Sequence, residues 1–387
     1  MKNIIILCLM GFFFIGQVPV AHAMEENLDF ADAATSAILM ERDTGTLLFE
    51  KNSNESLPPA SMTKIMTMLL IMEAIENGNL SWDDSVRTSE RAASMGGSQI
   101  FLEPGEEMTV KEMMKGIAIA SGNDASVAMA EHLAGTENEF VKLMNEKALE
   151  LGLKNTNFVN SNGLPADNHY SSAYDLAIIA KELLRHEAIT EFTSLYEDYL
   201  REGTKEPFWL VNTNKLVKFY PGVDGLKTGY TNEAKYCLTA SANKDGMRMV
   251  AVIMGAPSPK ERNRQITELF DYAYSQYQLH TRYHTSDILG TVKIDKGSQP
   301  VVQVIPEEPI SILLKKGEEV EGITETMTLN RNVKAPVQRG DQVGTMTMEK
   351  DGKEVINKAL IASESVPEAS LWELMKRTRS IMFGDAS

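Results

Sequence analysis

Apolar residues along the chain change their period several times, and each change marks an element. Residues 37–40 and 46–49 are short apolar runs separated by Asp43-Thr44-Gly45, the pattern of a β-hairpin. A polar, proline-containing loop covers 53–60. The mostly apolar stretch 65–75 then predicts a helix that begins near Ser61. Residues 109–120, 125–133, 137–151, 172–186 and 261–277 also read as helices. Gly96-Gly97-Ser98 predicts a loop able to border a site, and Asn160-Ser161-Asn162-Gly163-Leu164-Pro165 is dense in turn residues. Residues 236–240 and 247–254 are apolar and β-branched, with Asn243-Lys244-Asp245-Gly246 between them as a second hairpin signal. Strands, then many helices, then strands and a helix fit an antiparallel sheet with helices packed around it better than an alternating parallel fold.

The pattern shifts after about residue 283. Runs at 301–305, 311–314, 324–329 and 343–348 are strand-like, punctuated by Pro306, Lys316-Gly317, Arg339-Gly340 and Asp351-Gly352. They predict a small all-β module. From Glu368 the period is helical again. Leu371, Met375, Thr378 and Met382 share a stripe widened by Leu374 and Phe383, with Trp372 at its boundary and Lys376, Arg377 and Arg379 elsewhere. Such a helix suits a membrane interface, or else docks on the β module.

At the other end, Lys2, an apolar core at 4–15 and Ala21-His22-Ala23 make a signal peptide with a cleavage pattern. The expected organisation is a signal peptide at 1–23, a catalytic domain at 24–282, a β domain at 283–366 and an amphipathic helix at 367–387. An exported protein follows, acting at the outer face of the cytoplasmic membrane or in the cell-wall space. Cys237 is the one cysteine beyond the signal segment, so no internal disulfide is expected, and its apolar surroundings predict a buried thiol. The formal net charge of -16 over 387 residues argues against nucleic acid as a partner.

Candidate chemistry begins at Ser61-Met62-Thr63-Lys64. Positions three apart share a helix face, so the Ser61 hydroxyl and the Lys64 amine can meet. Serine is a weak nucleophile until a base takes its proton, and lysine is such a base only when burial or nearby positive charge keeps it neutral. Alone, the pattern is weak, because roughly one or two Ser-x-x-Lys matches arise by chance in a chain of this size. Ser241-Ala242-Asn243-Lys244 is a second match, in the hairpin-turn region. Only the first is followed in order by Ser121-x-Asn123 and Lys227-Thr228-Gly229, each at the edge of a predicted element. A Gly-x-Ser-x-Gly elbow, a His-Glu-x-x-His motif and paired cysteines are all missing, which disfavours other serine hydrolase designs and a metal. No cofactor is expected.

The ordered motifs resemble those of the penicillin-recognising serine acyl-transferases, and within them the low-molecular-mass D-alanyl-D-alanine carboxypeptidases. The likeness is carried by Pro59-Ala60-Ser61-Met62-Thr63-Lys64, Ser121-Gly122-Asn123-Asp124-Ala125, Leu151-Gly152-Leu153-Lys154-Asn155-Thr156 and Gly222-Val223-Asp224-Gly225-Leu226-Lys227-Thr228-Gly229. It covers nearly the whole chain. It implies an α+β, β-lactamase/transpeptidase-like catalytic domain, an antiparallel sheet with helices on both sides, followed by a small β-sandwich.

The implied substrate is a peptidoglycan stem peptide ending in D-Ala-D-Ala, with β-lactam antibiotics as covalent inhibitors. In the implied roles Ser61 is the nucleophile and Lys64 its base, while Ser121 relays a proton to the departing D-alanine. Asn123 holds the substrate amide or the Lys64 amine. Lys227, Thr228 and Arg262 face the terminal carboxylate. Gly229 completes the third motif, and the backbone N–H groups of Ser61 and Tyr230 form the oxyanion hole. A D,D-endopeptidase or transpeptidase acting on the same substrate remains open. A β-lactamase fits less well, since 160–169 contains Asp167 but no glutamate. A non-catalytic wall-binding protein fits less well too, since every motif residue is present.

Overall fold

Residues 30–318, 320, 322–350 and 352–375 are described in the computed structural model. The expected signal peptide, and the part of the tail helix carrying Lys376, Arg377, Thr378, Arg379, Met382 and Phe383, lie outside them. Five antiparallel strands make the main sheet, ordered Leu47–Lys51, Ser36–Glu41, Met247–Ala256, Lys235–Lys244 and Val223–Thr231.

The continuous apolar run of the central strand has a simple cause: both of its faces are covered. Val250, Val252 and Met254 enter the main core with Ile38 and Met40. The alternating Met249, Ala251 and Ile253 are equally buried on the opposite face, and Ile266, Leu269 and Phe270 of helix Pro259–Gln276 are buried as that helix packs on the strand. Helix Ala173–Leu183 packs on the same strands, and helix Lys64–Glu76 packs against it. Helix Lys64–Glu76 is apolar nearly all round, with Ile65, Met66, Met68, Leu69 and Ile71 fully buried. A residue in its first turn is therefore buried with it.

Helix starts follow their local signals. The Thr109 hydroxyl accepts from the Glu112 N–H while the Glu112 carboxylate accepts from the Thr109 N–H, a reciprocal cap that opens helix Val110–Ala118. Thr136, Ser172 and Ser258 cap three further helices.

The β module holds more strands than its apolar runs predict. A six-stranded sheet and a two-stranded ribbon share one core, which includes Val304, Ile310, Met348 and Leu360. Strand Lys353–Ala362 went unpredicted because only Ile356, Leu360 and Ala362 of its ten residues are buried. Tyr277–Tyr283 is also a strand, paired with Ile310–Lys315, so the expected 282/283 boundary falls at its end. Ser241 corrects another expectation. It lies within strand Lys235–Lys244, and the turn proper is Asp245-Gly246. At the far end the described tail residues Leu371, Trp372 and Met375 are exposed. No helix among the described residues is long and apolar enough to cross a membrane.

Candidate active site

Strand Val223–Thr231 lies at the sheet edge, so one side of its backbone is free of strand pairing. The 3-10 turn Ala60–Thr63 packs against that edge and runs directly into helix Lys64–Glu76. The approach is close enough that a Cβ on Gly229 would lie 2.9 Å from the Pro59 carbonyl oxygen and 3.3 Å from the Ser61 nitrogen. Glycine is required at that point of the Lys-Thr-Gly triplet for space.

Lys64 is fully buried, and its Nζ has three neighbours. Ser61 Oγ is 3.2 Å away, while Asn123 Oδ1 and the Asn162 carbonyl oxygen are each at 2.6 Å. The Asn123 amide orientation is set by its Nδ2, which donates to the Gly96 carbonyl at 2.7 Å. Asn123 Oδ1 and Asn162 O can therefore only accept. A neutral amine has two N–H groups and one lone pair. The two short contacts take both N–H groups and leave the lone pair for the Ser61 hydroxyl.

Electrostatics favour that neutral form. Burial, first, and then the Lys227 charge hold the Lys64 pKa well below the ordinary lysine value, with Asp124 acting in the opposite sense. Burial and then Arg262 lower Lys227 to about 7. Burial lowers Arg262 itself to about 10. Arg262 is buried, and its guanidinium donates to Asn263 Oδ1 rather than to a carboxylate. The Asp124 carboxylate, in the first turn of helix Asn123–Ala134, is occupied by the N–H groups of Ile100 and Leu102 from the preceding loop and of Ala125. The centre is thus rich in buried cations and short of anions, the setting a ligand carboxylate would complete.

The remaining expected residues are chain neighbours of these groups. Ser121 is buried at φ +64, in the turn that ends one helix just before Asn123 opens the next. The Thr228 hydroxyl donates to Thr213 Oγ1 at 2.8 Å. Tyr230 is 52% exposed, and its ring packs on that of Tyr236 at a centroid distance of 4.5 Å. The expected border loop is in place, with the Asn123 N–H donating to the Ser98 carbonyl. By contrast, Ser241 donates to Asp224 and accepts from Arg248, and Lys244 sits over the Tyr220 and Tyr274 rings. The second Ser-x-x-Lys match is a strand, where positions three apart face opposite sides.

Several contributors carried no signal of their own. The Asn162 carbonyl, Thr213 and Gly163 arrive through long-range packing. His169 is another. It lies on the wall of a cleft of about 500 Å³ beside Ala60, shared with Gly163, Leu164, Thr231 and Glu233.

Residues 22–258 match the family model described as D-alanyl-D-alanine carboxypeptidase. The chain belongs to that peptidase family. Residues 277–368 match the C-terminal domain of penicillin-binding protein 5. Among relatives, the chain is 57% identical to the D-alanyl-D-alanine carboxypeptidase DacF of Bacillus subtilis, covering 98% of both chains. Among solved structures it is similar to penicillin binding protein 5 from Haemophilus influenzae, with a TM-score of 0.68 and 29% identity over 87% of this chain and 98% of that one. It is also similar to ampicillin-bound penicillin-binding protein D2 from Listeria monocytogenes, with a TM-score of 0.57 and 29% identity over 64% of this chain and 99% of that one. As a member of this family the chain is a serine-type hydrolase of D-Ala-D-Ala termini.

Proposed function

We infer that this carboxypeptidase removes the terminal D-alanine from peptidoglycan pentapeptide stems through an acyl-enzyme on Ser61. The observation that carries this reading is the Lys64 amine, fully buried, 3.2 Å from the Ser61 hydroxyl and with its pKa pushed well below the ordinary lysine value by burial and then by the Lys227 charge. Lys64 takes the hydroxyl proton as Ser61 Oγ attacks the carbonyl of the D-Ala-D-Ala bond. The backbone N–H groups of Ser61 and Tyr230 stabilise the oxyanion. Ser121 relays the proton to the departing amine as the C–N bond breaks, leaving an ester on Ser61. Water then cleaves the ester, yielding the tetrapeptide carboxylate and the free hydroxyl.

Lys227, Thr228 and Arg262 recognise the terminal carboxylate, which supplies the anion their cluster lacks. Asn123 holds Lys64 and meets the stem's amide, and Gly229 lets the edge strand approach. A β-lactam carries an acylating carbonyl and a carboxylate, and so enters the same route. Fluorescent penicillin is therefore expected to label the mature protein covalently, with Ser61→Ala abolishing the label. Labelling that persists in that variant, or maps to Ser241, overturns the assignment.

The enzyme acts outside the cytoplasmic membrane and is held at the membrane surface by its tail. Exposed Leu371, Trp372 and Met375 support that reading, since aromatic and apolar side chains suit a headgroup boundary. Removing residues 368–387 is expected to leave D-alanine release intact and to abolish co-sedimentation with anionic vesicles. A truncated protein that still binds vesicles, or that unfolds, rejects the anchor.

A further inference from the structure

His169 and Thr63 form a buried chain that ends on the nucleophile's own peptide. The Val159 N–H donates to His169 Nδ1 at 2.9 Å, which makes Nδ1 the acceptor and leaves the proton on Nε2. His169 Nε2 is 2.8 Å from Thr63 Oγ1, and Thr63 Oγ1 in turn donates to the Ala60 carbonyl at 2.8 Å. Donor order is thus fixed from end to end: Val159 N–H to His169, His169 Nε2–H to Thr63, Thr63 O–H to Ala60 O. Thr63 is fully buried and His169 nearly so. Burial lowers the His169 pKa to about 4, so the neutral tautomer persists through the physiological range.

The chain's target is unusual. Ala60 has a φ of +48, a left-handed conformation that a non-glycine residue adopts only when its surroundings hold it there. The Ala60–Ser61 peptide is wedged between two glycines, with Gly163 against the Ala60 carbonyl and Gly229 on the strand side. A trans peptide points its C=O and N–H in opposite directions. Holding the Ala60 carbonyl toward Thr63 therefore aims the Ser61 N–H the other way.

We propose that His169 is a positioning residue which, through Thr63 and the Ala60 carbonyl, orients the Ser61 N–H for the oxyanion. This rests on the acyl-enzyme reading above. It assigns a role to the third residue of Ser-Met-Thr-Lys and to a histidine that takes no part in proton transfer. The Ser61 N–H and hydroxyl belong to one residue, so the chain sets donor and nucleophile together.

The test uses the mature protein and the variants Thr63→Ser, Thr63→Val and His169→Gln. Each is measured for kcat and KM of D-alanine release, and for the inhibition constant of a peptide boronic acid that forms a tetrahedral adduct on Ser61. Active sites are titrated with penicillin, so that misfolded protein is discounted. Thr63→Val keeps the shape and removes the hydroxyl; it is expected to lower kcat roughly ten- to hundred-fold with little change in KM, and to weaken the boronate by a similar factor. Thr63→Ser restores the hydroxyl and both constants. His169→Gln retains a donor to Thr63 and falls between.

Wild-type kcat and boronate affinity in Thr63→Val overturn the proposal, as does a fall in kcat with unchanged boronate affinity. If Thr63→Val does not fold, the comparison of Thr63→Ser with His169→Gln decides: boronate affinity equal in both and in the wild type overturns it. Failure of the wild-type protein to acylate at all would instead reject the underlying function.

Discussion

Gly163→Ala probes the packing that shapes the nucleophile turn. Gly163 has a φ of +86, and a Cβ built there would lie 1.9 Å from the Ala60 oxygen, 2.4 Å from the Ala60 carbonyl carbon and 2.9 Å from the Ser61 nitrogen. Real Cβ contacts essentially never fall below 3.0 Å, and every atom here is backbone, so no side chain can swing aside. The Ala60–Ser61 peptide or the Gly163 loop must move by about 1 Å, and a misplacement of that size costs roughly a hundred-fold in rate. Alanine at positive φ adds about 1–2 kcal/mol of strain.

Gly152 separates the two effects. Its φ is +71, and a Cβ there meets nothing within 4 Å. The assay is the second-order rate of acylation by fluorescent penicillin, measured beside thermal melts. Gly152→Ala should lose about 1–2 kcal/mol of stability and acylate at the wild-type rate. Gly163→Ala should acylate roughly a hundred-fold more slowly at temperatures where it remains folded. Acylation by folded Gly163→Ala within about two-fold of wild type, inside the scatter of such rates, would refute the reasoning.

Lys227→Gln removes the positive neighbour that is second only to burial in depressing the Lys64 pKa, so the acid limb of the acylation–pH profile should move to higher pH; an unmoved limb contradicts this. Lys227 itself titrates at about 7 when folded, against 10.5 as the ordinary value, so between those pH values the unfolded chain binds more protons and stability rises with pH. Lys227→Met removes that part of the slope, and it should raise stability by roughly 2–4 kcal/mol at pH 7 and little near pH 10.5, read from denaturant melts. Arg185 pairs with Glu182, Glu307 and Glu308 at a partly exposed position, so Arg185→Ala should cost no more than about 1 kcal/mol and leave D-alanine release unchanged.

What could be read ahead of the structure was whatever local chemistry writes down. The helical pattern at 109–120, the Asp43-Thr44-Gly45 turn and the buried run after Lys64 each determine their element within a few residues. The Ser61–Lys64 pairing was legible for the same reason, since helical spacing alone brings the two together. The partners that complete it were not. Asn162 contributes a backbone carbonyl, which any residue type carries, and reaches Lys64 across 98 positions. Thr213 is one of many threonines until Thr228 lies against it. His169 reads as a loop histidine until the fold brings Thr63 within reach. Strand Tyr277–Tyr283 was missed because its alternate residues are only partly buried, which leaves little apolar contrast.

The central claim is the hydrolysis of a D-Ala-D-Ala terminus by Ser61, and the most direct measurement is mass spectrometry of a pentapeptide stem incubated with the mature protein. The account predicts loss of one D-alanine to give the tetrapeptide, with no product from Ser61→Ala. Equal release by Ser61→Ala, exclusive cleavage of cross-linked dimers, or exclusive transfer to an amine acceptor would contradict it.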